Sequence, residues 1–347
     1  MPQLLLELFC EEIPARMQAK AEADLGAALE KSLKDSGLTF GGVETLSGPR
    51  RLAVIIDDLS LKSEDVREER KGPKVGAPEK AVEGFLRGAG LSSIDQAEVR
   101  SDPKKGDFYV AVIETPGRMA SDIIAEAVPA IVRGFHWPKS MRWGSGDLRW
   151  VRPLQRIVCM LDGKVVPFDV DGLASGDQTE GHRVHGRGPF TVTNGDIYKD
   201  TLNGEGHVML SRDARREKIL ADATKVCADA GLDLVDDRGL LEEVTGLAEW
   251  PVVLLGEMDP AFLDLPDEVI QLSMRAHQKY FAVRDPKTGG LAPNFVVVAN
   301  IAATDGGQKI AQGNSRVLSA RLNDARFFWD NDLATSLEDM GQKLATI

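Results

Sequence analysis

The 347-residue sequence lacks any apolar run of the roughly 18 residues that a membrane-spanning helix needs. Its first apolar segment, Leu4–Leu8, is interrupted by Glu7 and follows no basic residues, so we do not interpret it as a secretory signal peptide. These two absences lead us to expect a cytoplasmic protein that has no membrane partner.

Cysteine and basic charge are also scarce. Cys10, Cys159 and Cys227 are odd in number and far apart, which favours reduced thiols over a disulfide framework. The chain has 42 Lys and Arg against 54 Asp and Glu, a formal net charge of −12. Proteins that bind nucleic acid non-specifically are normally basic, so we predict no DNA partner. Any contact with RNA must come from local basic patches that act against the overall negative field.

Motifs for catalysis and cofactor binding are absent as well. The sequence contains no nucleophile elbow, and Gly186–Pro189 lacks the glycine spacing and the Lys-Ser/Thr of a phosphate loop. Glu242 and Glu243 are adjacent on a predicted helix, so they point about 100° apart and do not converge. No cysteine pair or third histidine lies near His182 and His185 in the sequence, and zinc needs three or four ligands with further supporting residues, so these histidines and nearby acids are not expected to form a metal site. We therefore predict no catalytic residue, no metal and no cofactor; a metal-dependent hydrolase built on these histidines is the disfavoured alternative.

What the chain does contain is typical of a globular protein, with 43% hydrophobic and 28% charged residues. Its length predicts two or three domains. A buried strand at Leu4–Phe9, a helix from Pro14 to Gly37 and strands near Val43–Leu46 and Leu52–Ile56 predict a β-α-β-β unit. Leu61–Lys80 mixes charges of both signs with Gly and Pro, and we interpret it as a boundary or an exposed linker.

Turn and cap signals complete the fold prediction. Asp162-Gly163 and Asp285–Gly290 are typical of hairpin turns, and Ser211 and Asp237 are typical N-caps. We predict an α+β fold with several mixed or antiparallel sheets and packed helices. The predicted parts are residues 1–70, 71–150, 151–312 and 313–347.

One stretch, Phe135–Arg156, combines basic and aromatic side chains around a single acid, Asp147. Three of the five tryptophans of the chain lie in it. Arginine and tryptophan together serve RNA contact by charge and stacking, or a protein interface, but a core corner with solvated arginines fits equally well. The candidate RNA- or partner-binding residues here are Lys139, Arg142, Trp143, Arg149 and Arg152.

A second stretch, Leu265–Phe281, reads as one helix that begins near Pro266 and ends before a strand. Val269, Ile270, Ser273, Met274 and His277 are spaced as one buried stripe. The last turn is basic, which fits either a tip for binding an anion or partner, or a core helix whose basic end complements the helix dipole. The candidate residues here are Arg275, His277, Gln278, Lys279 and Tyr280.

The second stretch, LPDEVIQLSMRAHQKYF, resembles the pattern LPxEVLxxxMKxHQxYF of the beta subunit of bacterial heterotetrameric glycyl-tRNA synthetase. Glu243–Gly256, Phe295–Ile301 and Gly313–Asp332 are similar to further segments of that family, in the same order. The N-terminal LLLELFCEEIPARM, SGPRRLAV and PKSMRWG also resemble it. Arg156 departs from the family, in which an aromatic residue usually stands at its position.

The resemblance runs from Leu4 to about Leu337 and implies the N-terminal half of a longer chain. It implies an α2β2 enzyme whose alpha subunit binds ATP, Mg²⁺ and glycine while the beta subunit engages tRNA(Gly). This chain alone is then expected to be inactive, with the alpha subunit and tRNA(Gly) as its partners. A part resembling the B3/B4 domain of the phenylalanyl-tRNA synthetase beta subunit is also implied. A scaffold that holds the alpha subunit without touching RNA remains the alternative.

Overall fold

The computed structural model describes residues 2–103 and 106–344, with side chains described through residue 342. The helices are α1 (Ala15–Asp35), α2 (Glu79–Ala89), α3 (Ala120–Gly134), α4 (Gly195–Asn203), α5 (Arg212–Asp229), α6 (Arg238–Thr245), α7 (Asp267–Ser273), α8 (Gln308–Ala334) and α9 (Leu337–Leu344). The strands are β1 (Leu4–Cys10), β2 (Val43–Gly48), β3 (Arg51–Ile56), β4 (Val66–Lys74), β5 (Glu98–Asp102), β6 (Gly106–Thr115), β7 (Leu154–Leu161), β8 (Lys164–Val165), β9 (Asp169–Val170), β10 (Leu173–Gly176), β11 (Gln178–Thr179), β12 (Phe190–Thr191), β13 (Asp233–Leu234), β14 (Val252–Glu257), β15 (Phe281–Arg284) and β16 (Leu291–Ala299).

The largest sheet is mixed, with the strand order β2-β3-β1-β7-β10-β9 and with β8 paired to β7. Strand β1 pairs antiparallel with β3 and β7, whereas β10 runs parallel to β7. All seven side chains of β1 are buried, as predicted for Leu4–Phe9, because helices cover the sheet on both faces. The register places Glu7 beside Ala53 of β3 and Val158 of β7, so one acidic side chain lies in the centre of the sheet.

The two faces of the main sheet bury two separate cores. Successive strand side chains point to opposite faces. Leu4, Leu6 and Leu8 therefore pack with residues of α1 and α3, whereas Leu5 packs with Tyr198 of α4. Each fully buried leucine contributes about 1.5–3 kcal/mol relative to an exposed one, so β1 is the principal hydrophobic anchor of this part of the chain.

A small antiparallel sheet, in the order β4-β6-β5, is inserted between β3 and α3, and α2 packs against it. The chain enters and leaves this inserted sheet through two adjacent segments, and Lys62 of the first pairs with Met119 of the second in an isolated bridge. Beside this bridge, a Cβ on Gly117 would lie 1.9 Å from the carbonyl oxygen of Ser63. Glycine is therefore required where the two segments cross.

The interpretation of Leu61–Lys80 as a linker is wrong for Val66–Lys74, which form strand β4. Strand β4 has nine residues, and the side chains of the first six, Val66–Lys71, are exposed because β4 is an edge strand of a small sheet. Its backbone pairs with β6 while its charged side chains remain in water. The strand has no alternation of apolar and polar residues, which is the signal that the sequence reading depends on.

The second large sheet is antiparallel, in the order β13-β15-β16-β14, and lies between two helical layers. Phe281 and Val296 belong to the core formed with α5 and α6. Ala282 and Phe295 belong to the core formed with α7 and α8. The second group of candidate residues lies directly before strand β15 of this sheet, so the sheet fixes the position of that group.

The prediction of one helix across Leu265–Phe281 is only partly correct. The α-helix covers Asp267–Ser273 and continues as a π-helical turn over Met274–Gln278, after which Lys279 adopts a left-handed φ of 59°. A π turn holds more residues than an α turn, so it rotates the side chains that follow. The prediction that His277 joins the buried stripe is therefore wrong, and its side chain is exposed.

Local turn and cap predictions are confirmed. Asp162 and Gly163 have positive φ values of 49° and 75° and join β7 to β8 in a hairpin. The turn between β15 and β16 is also present, with Arg284 opposite Leu291. Ser211 caps α5 by accepting a hydrogen bond from the amide of Ala214, and the Asp237 carboxylate likewise caps α6.

The fold class is α+β with mixed and antiparallel sheets, as predicted. The main sheet joins strands from residues 1–70 with strands from residues 151–312, and the segment between them includes the small inserted sheet. The four predicted boundaries and the likeness to a B3/B4 domain remain predictions.

Candidate functional site

The first group of candidate residues lies in the irregular segment between α3 and β7. We call it the basic surface: Lys139, Arg142, Trp143, Arg149 and Arg152. Backbone hydrogen bonds in both directions between Met141 and Trp150, of 2.8 and 3.2 Å, fold the segment into a loop. This bridge brings both ends of the segment together, so residues up to thirteen positions apart share one surface.

The loop is held from inside by an aromatic cluster. The ring centroids of Phe135, Trp137 and Trp150 lie 5.0–5.1 Å apart, and the two indoles meet edge to face. Trp150 is fully buried and Trp137 is 7% exposed, so neither presents a face on which a base could stack. Trp143 is half-buried and packs against the same core. The tryptophans thus fit the core-corner interpretation, whereas the arginines around them are solvated.

The cations of the basic surface have weak partners. Arg142 lies 3.7 Å from the Asp147 carboxylate, and both side chains are largely exposed. Arg149 donates to the Ser140 hydroxyl at 3.4 Å, and Arg152 donates to the carbonyl oxygen of Val151. Lys139, Arg149 and Arg152 form no ion pair with any described residue. Exposed pairs such as Arg142–Asp147 contribute little, so most of this positive charge is available to a partner.

An acidic residue, Asp171, lies beside the basic surface and reduces its net positive charge. A cavity of about 280 Å³ is lined by Arg133, Arg149, Asp147 and Asp171. The Asp171 carboxylate accepts a hydrogen bond from the amide of Leu148. Arg133, at the end of α3, was not a sequence candidate, and its position beside Arg149 extends the basic surface.

The second group, which we call the α7 tip, comprises Arg275, His277, Gln278, Lys279 and Tyr280. Its two cations are already paired with acids of α6 or its cap. Arg275 lies 3.2 Å from Asp237, and Lys279 lies 3.0 Å from Glu243. These pairs neutralise most of the positive charge that the sequence pattern indicated.

The other members of the α7 tip differ in exposure. Tyr280 is buried, stacks on Phe295 at 4.6 Å and donates its hydroxyl to Asn314 of α8. Burial raises the pKa of Tyr280 to about 12. Gln278 is half-buried and His277 is exposed. Tyr280 therefore fastens the turn to α8, while His277 and Arg275 remain accessible.

The sequence reading missed a buried charge network that joins the two large sheets. The Arg51 guanidinium lies 2.8 Å from Glu7 and 3.4 Å from Glu249, and Arg50 lies 2.6 Å from Glu249. The Tyr198 hydroxyl donates to Glu7 at 2.7 Å. All five side chains are more than nine-tenths buried. The residues stand up to 242 positions apart, so no local signal connects them.

Burial and neighbouring charge shift the pKa of Glu249 in opposite directions. Burial alone would raise the pKa of its carboxyl, but the guanidinium groups of Arg51 and Arg50 outweigh this and hold the pKa below its ordinary 4.5. The stability that Glu249 contributes is present above its ordinary pKa and is lost as the pH falls through the lowered folded value.

Other buried contacts cross between the same regions. Arg215 of α5 donates to the carbonyl oxygens of Ser47 in β2 and Thr245 in α6, at 2.7 and 3.1 Å. Burial lowers the pKa of Arg215 to about 10. Gln18 of α1 donates to the carbonyl oxygen of Gly246 at 2.7 Å. The parts that carry the basic surface and the α7 tip are therefore fastened together by polar side chains.

The two histidines considered for a metal site use their nitrogen lone pairs within the protein. His182 Nδ1 accepts hydrogen bonds from the amides of Val184 and His185, at 3.2 and 3.1 Å. His185 Nε2 accepts one from the amide of Ala302 at 3.0 Å. Over residues 2–103 and 106–344, no group of three or more His, Cys, Asp or Glu side chains is placed to hold a metal ion. In the same part of the chain, no helix is both long and apolar enough to cross a bilayer.

We expect the free energy of unfolding to fall as the pH is lowered from about 7 to 5.5, and His182 to cause part of the fall. Burial lowers the pKa of His182 below its ordinary 6.5, and the nearby Glu249 carboxylate opposes this only partly. The unfolded chain therefore takes up a proton before the folded chain does, and stability is lost as the pH falls through 6.5. Urea unfolding at a series of pH values measures the effect.

His182→Asn is the matched variant for this test, since its amide oxygen replaces the Nδ1 acceptor but does not titrate. The pH dependence of the variant should be shallower than that of the wild type between pH 7 and 5.5. Equal slopes would show that His182 does not carry the effect.

Known proteins of similar sequence identify the class of protein to which this chain belongs. Residues 4–347 match the family model for the glycyl-tRNA synthetase beta subunit. The chain is 56% identical over 345 residues to the glycine–tRNA ligase beta subunit of Phenylobacterium zucineum, covering 99% of this chain and 50% of that protein. It is 53% identical over 345 residues to the beta subunit of the same name from Ruegeria sp., covering 98% and 50%. The chain spans about half the length of the curated relatives it matches.

These matches place the chain among the components of aminoacyl-tRNA synthetases. More narrowly, the chain belongs to the glycyl-tRNA synthetase beta subunit family, and the resemblance seen in the sequence is confirmed.

Proposed function

We propose that this chain is the tRNA-engaging and alpha-subunit-partnering portion of a glycine–tRNA ligase. In this role it supports the ATP-dependent attachment of glycine to tRNA(Gly) during protein biosynthesis, as part of an α2β2 assembly in the cytoplasm. ATP, Mg²⁺ and glycine bind to the alpha subunit. The present chain supplies binding surface and no catalytic residue.

The observation that supports tRNA contact most directly is the unneutralised charge of the basic surface. Lys139, Arg149 and Arg152 form no ion pair with a described residue, and Arg142 has only a distant exposed partner. The whole chain carries a net charge of −12, which repels an RNA. Favourable contact with phosphates must therefore concentrate where positive charge is both local and free.

The two candidate groups differ in a way that can be tested. Arg275 and Lys279 are already paired with Asp237 and Glu243. Binding a phosphate there requires the loss of an existing ion pair, whereas Arg142 and Arg149 lose almost nothing. We therefore assign the principal phosphate contacts to the three arginines of the basic surface, Arg142, Arg149 and Arg152, and only a minor share to the α7 tip.

Arg142→Gln combined with Arg149→Gln is expected to weaken tRNA(Gly) binding by at least about tenfold in the assembled ligase, because each change removes a charge-assisted hydrogen bond to phosphate. Each lost phosphate contact should also reduce the log–log salt slope by about 0.7–0.9. Filter binding at several salt concentrations and the KM for tRNA measure both effects.

The control is Arg275→Gln combined with Lys279→Gln, which changes the net charge of the chain by the same two units. It should alter tRNA affinity much less than the first pair does. Equal effects from the two pairs would mean that the overall field, and not the basic surface, governs binding. Unchanged affinity in both variants, with the assembly intact, would favour a scaffold that does not touch RNA.

A further inference from the structure

A groove beside Lys139 is not used by the proposed phosphate contacts. Helix α1 and the residues that follow α3 enclose a cavity of about 470 Å³. Met17, Ala21 and Trp137 form its apolar floor, and these side chains are nearly buried. Its volume is within the range of cavities that hold a drug-sized ligand or a few side chains.

The rim of the groove carries positive charge from two parts of the chain. Arg16, Lys20 and Asp24 follow one another at intervals of four along α1, so they share one face of the helix. Lys20 and Asp24 pair at 2.9 Å and cancel each other. Arg16 and Lys139 form no ion pair with a described residue, and both are exposed. The groove therefore combines an apolar floor with two free cations.

The aromatic residue of the floor is unsuited to stacking on a nucleobase. Phe135 and Trp150 pack against the Trp137 ring, at centroid distances of 5.0 Å each. The Trp137 side chain is left 7% exposed. Single-stranded RNA uses open aromatic faces as platforms; the Trp137 ring of the floor is too buried to serve as one, and among the aromatic lining residues only His136, at the rim, is exposed. Its other apolar walls are aliphatic, from Met17, Ala21 and Pro138, which suits an aliphatic or aromatic side chain of a protein.

We propose that the groove binds an acidic and apolar segment of the alpha subunit. One or two apolar side chains of that segment occupy the cavity, and carboxylates beside them pair with Arg16 and Lys139. This is the arrangement in which an amphipathic segment fills a groove while charges at the rim fix its register. The inference rests on the proposed function, because it takes the alpha subunit as the partner.

The test is site-specific photo-crosslinking in the assembled ligase, with benzoylphenylalanine in place of Lys139 or, separately, of Arg16. We expect an adduct with the alpha subunit whose mapped peptide contains both acidic and large apolar residues. The control position is Lys31, which lies on the same helix, is exposed and pairs with Asp35 away from the groove. It should give no adduct with that peptide.

A charge reversal provides the second arm. Arg16→Glu combined with Lys139→Glu should weaken the association of the two subunits by about tenfold or more, and the loss should shrink at high salt. Lys31→Glu should leave the association unchanged. Circular dichroism and urea unfolding of each variant separate loss of binding from loss of folding.

The outcomes distinguish this inference from the proposed function. Light scattering of the wild-type proteins first establishes whether the subunits assemble, and a failure to assemble refutes the proposed function itself. An intact assembly whose groove positions crosslink to tRNA, to a second copy of this chain or to nothing refutes only the groove as the alpha-subunit site.

Discussion

Replacing Glu249 with glutamine is expected to lower the free energy of unfolding by about 3–5 kcal/mol. The change leaves Arg50 without its carboxylate partner and removes one of the two carboxylates that flank Arg51. Both guanidinium groups are buried, and removing one partner of a buried pair costs far more than the pair itself contributes to stability. Arg51 keeps Glu7, so most of the loss should come from Arg50.

Urea unfolding followed by tryptophan fluorescence measures the loss as a lower midpoint at an unchanged slope. Glu69→Gln is the matched control, since Glu69 also pairs with an arginine, Arg100, but on an exposed strand. Its midpoint should stay near that of the wild type. If Glu249→Gln unfolds at the same urea concentration as the wild type, the buried network does not hold the two sheets together.

The buried charge network connects the two large sheets, so the Glu249→Gln substitution should affect more than the Arg50 side chain. Glu249 lies between α6 and β14, whereas Arg51 begins β3 of the other large sheet and Arg50 directly precedes it. Arg50 also donates to the carbonyl oxygen of Gly181 at 2.7 Å, and Arg51 to that of Glu180 at 2.8 Å. Loss of the carboxylate therefore loosens the contact between the two sheets and the loop that contains His182.

Trp150→Ala is expected to destabilise the chain by about 3–5 kcal/mol, which is the usual cost of truncating a buried tryptophan. Trp150 is fully buried, and its ring contacts those of Phe135 and Trp137. Its backbone also makes the hydrogen bonds to Met141 that close the loop of the basic surface. Because Trp150 acts in folding and not in RNA contact, urea unfolding of the chain in the absence of RNA should show the whole loss of stability.

Trp143→Ala is the comparison, because Trp143 lies in the same segment and is only half-buried. It should cost less stability than Trp150→Ala. If Trp150→Ala left unfolding unchanged and lowered only the affinity for tRNA, the assignment of Trp150 to the core would be wrong. If Trp143→Ala lowered tRNA affinity at unchanged stability, the half-exposed indole of Trp143 would contact RNA together with the arginines of the basic surface.

Features that depend on a few neighbouring residues follow from the sequence, whereas features that depend on distant parts of the chain do not. The hairpin at Asp162-Gly163 and the caps at Ser211 and Asp237 were predicted correctly, because backbone sterics and one side-chain hydrogen bond decide them within a few residues. The helix after Pro266 was predicted, but its π-helical turn was not. An apolar stripe indicates which residues face a core without revealing where the backbone departs from the α-helical period.

The candidate residues illustrate the same division. Composition indicated two basic and aromatic stretches, and both lie where elements end and side chains reach the surface. Composition did not indicate that Arg275 and Lys279 would meet Asp237 and Glu243, since these acids belong to another helix. It also did not indicate that Trp137 and Trp150 would face inward, because tryptophan serves core packing and RNA stacking equally well.

The sequence by itself determined the family, the α+β class, and the local turns and caps, because each of these depends on residue identity or on short spacing. Only the tertiary structure decided which cations remain free, and that Glu7, Arg51 and Glu249 form one buried network. The physical reason is that an ion pair depends on a separation of a few ångströms in space. The fold brings Glu7 and Glu249 to the same guanidinium although 241 residues lie between them in the chain.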